Sequence, residues 1–136
     1  MGEASLVRTA RFTAEHRYWR DEWSEEENRR VFGAASRAHG HVWTVEVTVR
    51  GPIHRATGFV IDLGALDELL DELVEGLDGG DVNRIVPEAR EGRMVPTTEN
   101  MARWFWDRLA SRIPGAARLV RVRVAESDTL AAEYEG

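Results

Sequence analysis

Alternating apolar and polar residues along the chain predict four β-strands. In the clearest of them, residues 42–50, the side chains of Val45, Val47 and Val49 fall on one face and polar residues fall on the other. The alternation in residues 6–19 is less regular, but β-branched and aromatic residues favour a strand there too. The four predicted strands cover residues 6–19, 42–50, 119–126 and 131–134.

Two stretches between the second and third strands have the apolar spacing of amphipathic helices. In the first, leucines recur three or four residues apart from Leu66 to Leu77, and two glycines soon afterwards end the helix. The second begins within residues 96–100, where Thr97 or Thr98 can serve as the N-cap.

The predicted order of elements, β-β-α-α-β-β, indicates an α+β fold. Its sheet is expected to be four-stranded and antiparallel, with two helices on one face. One mostly charged stretch, residues 21–30, is left over, and we expect an exposed loop or a short helical turn there. With 136 residues and no repeat or low-complexity linker, the chain is expected to form a single domain, residues 1–136.

Composition narrows the classes of function. The net charge of -6 disfavours nucleic acid as a partner, because phosphate binding needs a basic surface. No apolar stretch is long enough to span a bilayer, so we expect no membrane partner and a cytoplasmic location. The chain has no Cys, and all 18 of its basic residues are Arg. Thiolate nucleophiles, Cys-bound zinc and lysine Schiff bases are therefore excluded.

Three histidines form the candidate metal site. His39 and His41 lie two residues apart at the start of a predicted strand, so their imidazoles point to the same face. If the first two strands pair as a hairpin, His16, near the end of the first, can join them. Three imidazoles with one open position are typical of a catalytic zinc site, although unrelated surface or core histidines remain the alternative. His54 lies in a polar turn and is expected to be a solvated bystander.

Several motifs resemble those of the 6-pyruvoyl-tetrahydropterin synthase family, which includes the 6-carboxy-tetrahydropterin synthases. The similar segments follow one another in the same order along nearly the whole chain. They are residues 12–17, 26–33, 39–41, 58–63, 96–100 and 124–127. The resemblance implies the tunnelling fold, with two helices on a four-stranded antiparallel sheet. It also implies assembly into hexamers around a sheet-lined barrel, with active sites between subunits and a small-molecule substrate.

The same resemblance implies roles for individual residues. His16, His39 and His41 match the zinc ligands of the family. Glu126 matches a catalytic-site glutamate that anchors the pterin ring, at the end of the ligand opposite to the metal. A carboxylate suits this task because it accepts two parallel hydrogen bonds from the amino and ring N–H groups.

The resemblance also implies that a second segment binds the substrate. Thr97, Thr98 and Glu99 match residues that help to form the pterin pocket in the family. The same three residues are equally well explained as a helix N-cap followed by an acidic residue in the first turn. Both interpretations are compatible.

The chain departs from the family at the proton-transfer residues. The position that matches the family's cysteine is Ala35, and the family's Leu-Asp-His becomes Leu77-Asp78-Gly79. Asp78 is retained and remains a candidate catalytic residue. Alanine and glycine cannot carry protons, and losing a positioned acid or base typically costs about 10²–10⁴-fold in rate. The standard synthase mechanism is therefore expected to fail.

Three explanations stay open. Another residue can act as the base, as in relatives that carry glutamate in place of the cysteine and cleave the side chain in a retro-aldol sense. The candidates are Ser36, Glu25, Glu26, Glu27 and Asp78, although the glutamates also fit a solvated acidic loop. Alternatively, the site has been recruited to another substrate, or it binds a ligand without converting it.

Three tryptophans bear on the second explanation. Trp19, Trp23 and Trp43 lie near the histidine motifs in sequence, where they can form a binding surface or pack at a subunit interface. The resulting prediction is a zinc-dependent lyase or cyclase with altered proton-transfer residues, acting on a pterin-like or other small polar heterocycle. The alternatives are a non-catalytic pterin- or metabolite-binding homologue and a protein with a purely structural zinc.

Overall fold

One sheet with helices on one face organises the computed structural model, which describes residues 2–136. The strands are β1 (Glu3–His16), β2 (His39–Pro52), β3 (Gly80–Asp81), β4 (Arg118–Ser127) and β5 (Leu130–Tyr134). The helices are α1 (Glu25–Phe32), α2 (Leu63–Leu77), α3 (Val82–Ile85), α4 (Pro87–Arg90) and α5 (Thr98–Leu109), with a 3₁₀ helix at Gly33–Ser36. In this part of the chain no helix is both long and apolar enough to span a bilayer.

The sheet has the strand order β3-β1-β2-β4-β5. The four predicted strands are present and pair with antiparallel neighbours, but the prediction of a four-stranded, wholly antiparallel sheet was wrong. The fifth strand, β3, pairs parallel to β1 at Ala14 and Glu15. It forms where the chain leaves α2, as the Gly79 N–H donates to the Thr13 carbonyl. A strand of two residues is too short to show an alternation pattern in the sequence.

Helix α1 and two single-turn helices, α3 and α4, add to the two predicted helices. Ser24 caps α1, with its hydroxyl accepting from the Glu27 N–H, and acidic residues occupy the first turn. Arginines in the last turn complete a charge distribution that complements the helix dipole. Asn28 is the buried residue of α1, so the helix has no apolar stripe from which it could be predicted.

The core lies between α2, α5 and the face of the sheet that they cover. Val45, Val47 and Val49 are fully buried on this face, as the alternation predicts. Arg8, on the same face of β1, explains the irregular pattern of that strand: its guanidinium makes two hydrogen bonds of 2.7 and 2.8 Å with Asp67 on α2. The polar residue that interrupts the apolar face of β1 therefore forms an ion pair at the edge of the core.

Candidate metal centre

Strands β1 and β2 bring the three predicted histidines together at one end of the sheet. In the antiparallel register His16 pairs with His39, and His41 pairs with Ala14. Their alternation places all three rings on the helix-covered face, and one ligand nitrogen from each lies within 4.8 Å of the others. The expected convergence of the three imidazoles is therefore found.

Backbone carbonyls orient two of the rings. The Nδ1–H of His16 donates to the Pro96 carbonyl at 2.9 Å, and the Nδ1–H of His39 donates to the Arg37 carbonyl at 2.7 Å. Because a carbonyl can only accept, Nδ1 carries the proton and the Nε2 lone pair is free on each ring. Such outer hydrogen bonds commonly orient metal-bound histidines.

The donor set fits a divalent metal ion. The Nε2 atoms of His16 and His41 are buried and have no hydrogen-bond partner in residues 2–136. Burial lowers the pKa of His16 to about 4, so its ring is neutral near pH 7, as metal binding requires. Unpartnered imidazole nitrogens that face one another suit zinc, which binds them at about 2.0–2.1 Å.

Glu126 is buried beside this cluster. Its Oε1 lies 3.1 Å from Nε2 of His16 and accepts a hydrogen bond of 3.1 Å from the Tyr18 hydroxyl. The carboxylate thus lies directly beside the candidate metal ligands. Strand β4 pairs with β2, with Ala125 opposite Thr44. Glu126, the next residue of β4, therefore reaches the end of the sheet where the histidines meet.

The segment before α5 also reaches the cluster, through Pro96. Thr97 is the N-cap of α5, and its Oγ1 accepts from the Asn100 N–H at 3.1 Å. Thr98 is fully buried, and its hydroxyl has no partner within the described chain. Thr98 and the exposed Glu99 both influence the pKa of Tyr18, so they lie near the Tyr18–Glu126 pair. The capping interpretation therefore holds for Thr97, and the Thr98 hydroxyl is buried close to the Tyr18 phenol.

Ala35 and Gly79, which replace the family's cysteine and histidine, have roles through their backbones. The Ala35 carbonyl accepts from the Tyr18 N–H at 2.8 Å. Gly79 has φ +76°, in the left-handed region that favours glycine. Asp78 is exposed, and its Oδ1 accepts from the Thr13 N–H at 2.8 Å. Within residues 2–136 of one chain, no hydrogen bond or ion pair joins Asp78 to the histidine cluster.

The other candidate bases are engaged elsewhere. The buried Ser36 hydroxyl donates to the Gly33 carbonyl at 2.7 Å. On α1, Glu25 pairs with Arg29 and Glu27 pairs with Arg30. Glu26 lies exposed in the first turn of the same helix. These contacts agree with the interpretation of the glutamates as a solvated acidic surface.

The three tryptophans have different environments. Trp43 is a core residue, fully buried, and its Nε1–H donates to the Ala14 carbonyl. Trp23 stacks on Phe32, with ring centroids 5.7 Å apart, and is half-buried. Trp19 is also half-buried and lies beneath the Arg17 guanidinium at 4.1 Å.

Trp19 lines a cavity that reaches the cluster. This cavity, of about 460 Å³, is bordered by His16, by three arginines, Arg17, Arg84 and Arg90, and by two carboxylates, Asp21 and Asp81. A ligand in this cavity could therefore touch both His16 and arginine side chains.

His54 lies at the opposite end of the sheet. Its Nδ1 accepts from the N–H groups of Ala56 and Thr57, which makes it a turn residue in an exposed loop. It also borders a cavity of about 540 Å³ with Phe59, far along β2 from the histidine cluster.

Tyr18 is the site residue that the sequence did not reveal. Its ring packs edge-on against His16, with centroids 5.3 Å apart, and its hydroxyl reaches Glu126. Burial raises its pKa to about 12, so the hydroxyl is protonated and acts as a donor. The only local signal was a polar aromatic residue two positions after a predicted metal ligand.

The fold and the site define an α+β protein whose sheet ends in a three-histidine cluster suited to a metal ion. A family model described as "6-pyruvoyl tetrahydropterin synthase" matches residues 5–136, and the chain belongs to this family. It is an enzyme of this lyase family, as its curated relatives are.

Two relatives show the range of named activities. Human 6-pyruvoyl tetrahydrobiopterin synthase is 36% identical over 137 residues, which cover 98% of this chain and 92% of the human protein. Dihydroneopterin monophosphate aldolase of Pyrococcus furiosus is 31% identical over 133 residues, 98% of each chain. Among solved structures, Caenorhabditis elegans 6-pyruvoyl tetrahydropterin synthase superimposes with a TM-score of 0.91 at 26% identity, covering 100% of this chain and 97% of that one.

Proposed function

We propose that this protein is a zinc-dependent lyase that acts on a dihydropterin with a phosphorylated, hydroxylated side chain, using altered proton-transfer residues. The observation that carries the proposal is the convergence of three histidine nitrogens within 4.8 Å beside the buried carboxylate of Glu126. A metal site and a carboxylate acceptor side by side can bind hydroxyl oxygens and N–H donors of such a molecule. Both groups are held by strands, which fix their positions.

The chain's own residues perform binding and orientation. His16, His39 and His41 would hold the zinc ion through Nε2, and the carbonyls of Pro96 and Arg37 would keep the two rings that they accept from in place. Bound zinc supplies a Lewis acid that polarises side-chain oxygens of the substrate and acidifies the adjacent C–H groups.

Buried polar groups would recognise the pterin ring. We assign Glu126 to the amino and ring N–H donors of the pterin, and the unpartnered Thr98 hydroxyl to a second polar contact. The arginine-lined cavity beside His16 supports a phosphate on the side chain, because guanidinium groups bind phosphate oxygens well.

Proton transfer is the step in which this chain departs from the family. Neither Ala35 nor Gly79 can carry a proton, and the exposed Asp78 does not reach the cluster of its own chain. We propose that Asp78 enters the site of a neighbouring copy in a homo-oligomer, a hexamer by family resemblance. Unpaired backbone supports assembly: β3 covers β1 only at Ala14 and Glu15, which leaves most of that edge open within the described chain.

The Pyrococcus furiosus relative is named an aldolase, so we consider side-chain cleavage together with the synthase outcome. A non-catalytic pterin-binding homologue is the second candidate, and the specific observation in its favour is the loss of both the cysteine and the histidine. We place the protein in the cytoplasm, with a small molecule and no nucleic acid or membrane as its partner.

Turnover of defined pterins tests this function. The zinc-loaded protein is incubated with dihydroneopterin triphosphate and, separately, with the monophosphate, and the products are separated by chromatography. We expect conversion of at least one compound at rates about 10²–10⁴-fold below those of a synthase with the full proton-transfer set. Turnover of the triphosphate at ordinary synthase rates would contradict the altered mechanism.

Two variants separate the enzyme from the binding homologue. His39→Ala abolishes conversion if the protein is an enzyme, while His54→Ala, a matched histidine variant far from the cluster, leaves it unchanged. A wild type that retains neopterin but converts neither compound would instead establish the binding homologue.

A further inference from the structure

Tyr18 is in contact with both halves of the proposed site. Its hydroxyl donates to Oε1 of Glu126 at 3.1 Å. Its ring lies edge-on to His16 at 5.3 Å and to His39 at 6.3 Å between centroids, and Phe32 packs against it at 5.9 Å. One side chain therefore connects the proposed pterin anchor with the proposed metal ligands.

Glu126 depends on this hydroxyl for a donor. Oε1 also lies 3.1 Å from Nε2 of His16, the nitrogen that is proposed to hold the metal. With zinc on Nε2, that nitrogen would have no proton to donate to the carboxylate. In the part of the chain that the structure describes, Tyr18 is the one side chain that donates a hydrogen bond to Glu126. A buried carboxylate oxygen without a donor would be costly.

The backbone around Tyr18 is fixed on both sides. The Tyr18 N–H donates to the Ala35 carbonyl at 2.8 Å. The preceding residue, Arg17, both donates to and accepts from the side chain of Asn83, at 2.9 and 3.0 Å. The phenol therefore reaches Glu126 from a rigid position, as a positioning group requires.

We propose that Tyr18 is a positioning residue that sets the orientation of Glu126. The phenol takes one lone pair of Oε1, which leaves Oε2 and the second lone pair of Oε1 to accept the N–H donors of a heterocycle, in a fixed orientation beside the candidate metal ligands. Tyr18 thereby favours a ligand whose N–H donors meet the carboxylate in that orientation. The inference deepens the proposed function and rests on it.

The test uses neopterin as the probe and isothermal titration calorimetry of the full-length, zinc-loaded protein. Tyr18→Phe removes the hydroxyl and keeps the ring. We expect its affinity for neopterin to fall about 3- to 10-fold, the effect of one hydrogen bond, with zinc content per chain unchanged. Tyr134→Phe is the matched control, because the chain's only other tyrosine packs against Trp106 away from the site. It is expected to bind as the wild type does.

A double-mutant cycle distinguishes positioning from general packing. If Tyr18 acts through Glu126, then Tyr18→Phe made in the Glu126→Gln background changes affinity by less than about 2-fold, because the carboxylate that it orients is gone. The same loss of affinity in both backgrounds would overturn the inference. Equal affinity of wild type and Tyr18→Phe would overturn it as well and leave the proposed function standing. A wild type that binds no neopterin would overturn both.

Discussion

His16 and His39 face each other as the last residue of β1 and the first residue of β2, with ring centroids 4.5 Å apart. The candidate metal site therefore lies where the first antiparallel pair of strands ends, and the position of His39 depends on the register of the whole pair. A slip of one residue would turn His39 and His41 to the other face. The three histidines therefore converge only when β1 and β2 pair in this register.

Loss of one histidine is expected to remove the metal. His39→Ala should lower zinc affinity by more than about 100-fold, since even outer-shell partners of metal ligands contribute about 10- to 100-fold. Competition titration against a chelator, together with metal analysis of the fresh protein, measures the change. His54→Ala should retain the wild-type zinc content. Equal zinc affinity of the two variants would show that the cluster does not hold the ion.

Asp78→Asn tests the proposed proton-transfer role with little structural change. The Asn side-chain oxygen can still accept from the Thr13 N–H, so the hydrogen bond between the end of α2 and β1 is kept while the charge and the basicity are removed. We expect turnover to fall about 10²-fold or more, with zinc content and neopterin affinity unchanged. Steady-state kinetics of the variant beside its zinc content measure both. Unaltered turnover would exclude Asp78 as an acid or base.

Thr97 and Thr98 are expected to differ in what they contribute. Thr97→Ala removes the N-cap hydrogen bond to Asn100 and should lower the free energy of unfolding by about 1 kcal/mol. Thr98→Val removes a buried hydroxyl that has no partner in residues 2–136, so the free energy of unfolding should stay equal or rise. Urea denaturation measures the stabilities and calorimetry the affinity for neopterin. The assignment of Thr98 to the pocket predicts weaker binding by Thr98→Val alone.

An ion pair between α4 and α5 predicts a pH-dependent part of the stability. Arg108 makes hydrogen bonds of 2.9 and 2.8 Å with Glu88 and lowers the pKa of that carboxyl. The unfolded chain therefore binds the proton more readily, and the stabilisation is present above the ordinary pKa and lost as the pH falls through the lowered one. Glu88→Gln should cost about 1 kcal/mol or less at pH 7, because both side chains are partly exposed.

The comparison is made by urea denaturation at pH 7 and at pH 3. The difference between wild type and Glu88→Gln should become smaller at the lower pH. Glu68→Gln, a matched change at an exposed position of α2, should have little effect at either pH. A difference for Glu88→Gln that is as large at pH 3 as at pH 7 would contradict the ion-pair explanation.

Local patterns in the sequence determined the main elements and the histidine cluster. The valine alternation in β2 and the leucine spacing of α2 record burial on one face, and burial acts on each residue in its own element. His39 and His41 share a face through the same period of two, and a hairpin between adjacent strands was enough to add His16. Glu126 was assigned through family resemblance.

Tertiary structure decided what depends on contacts between distant residues. Strand β3 is two residues long and exists through its pairing with β1, and α1 buries one polar residue, so neither has a periodic pattern. The Tyr18–Glu126 hydrogen bond joins residues 108 positions apart, and the closeness of Glu126 to His16 comes from the pairing of β4 with β2. A periodic pattern reports whether a residue is buried. The identity of the residue it touches is set only when separate strands are brought side by side.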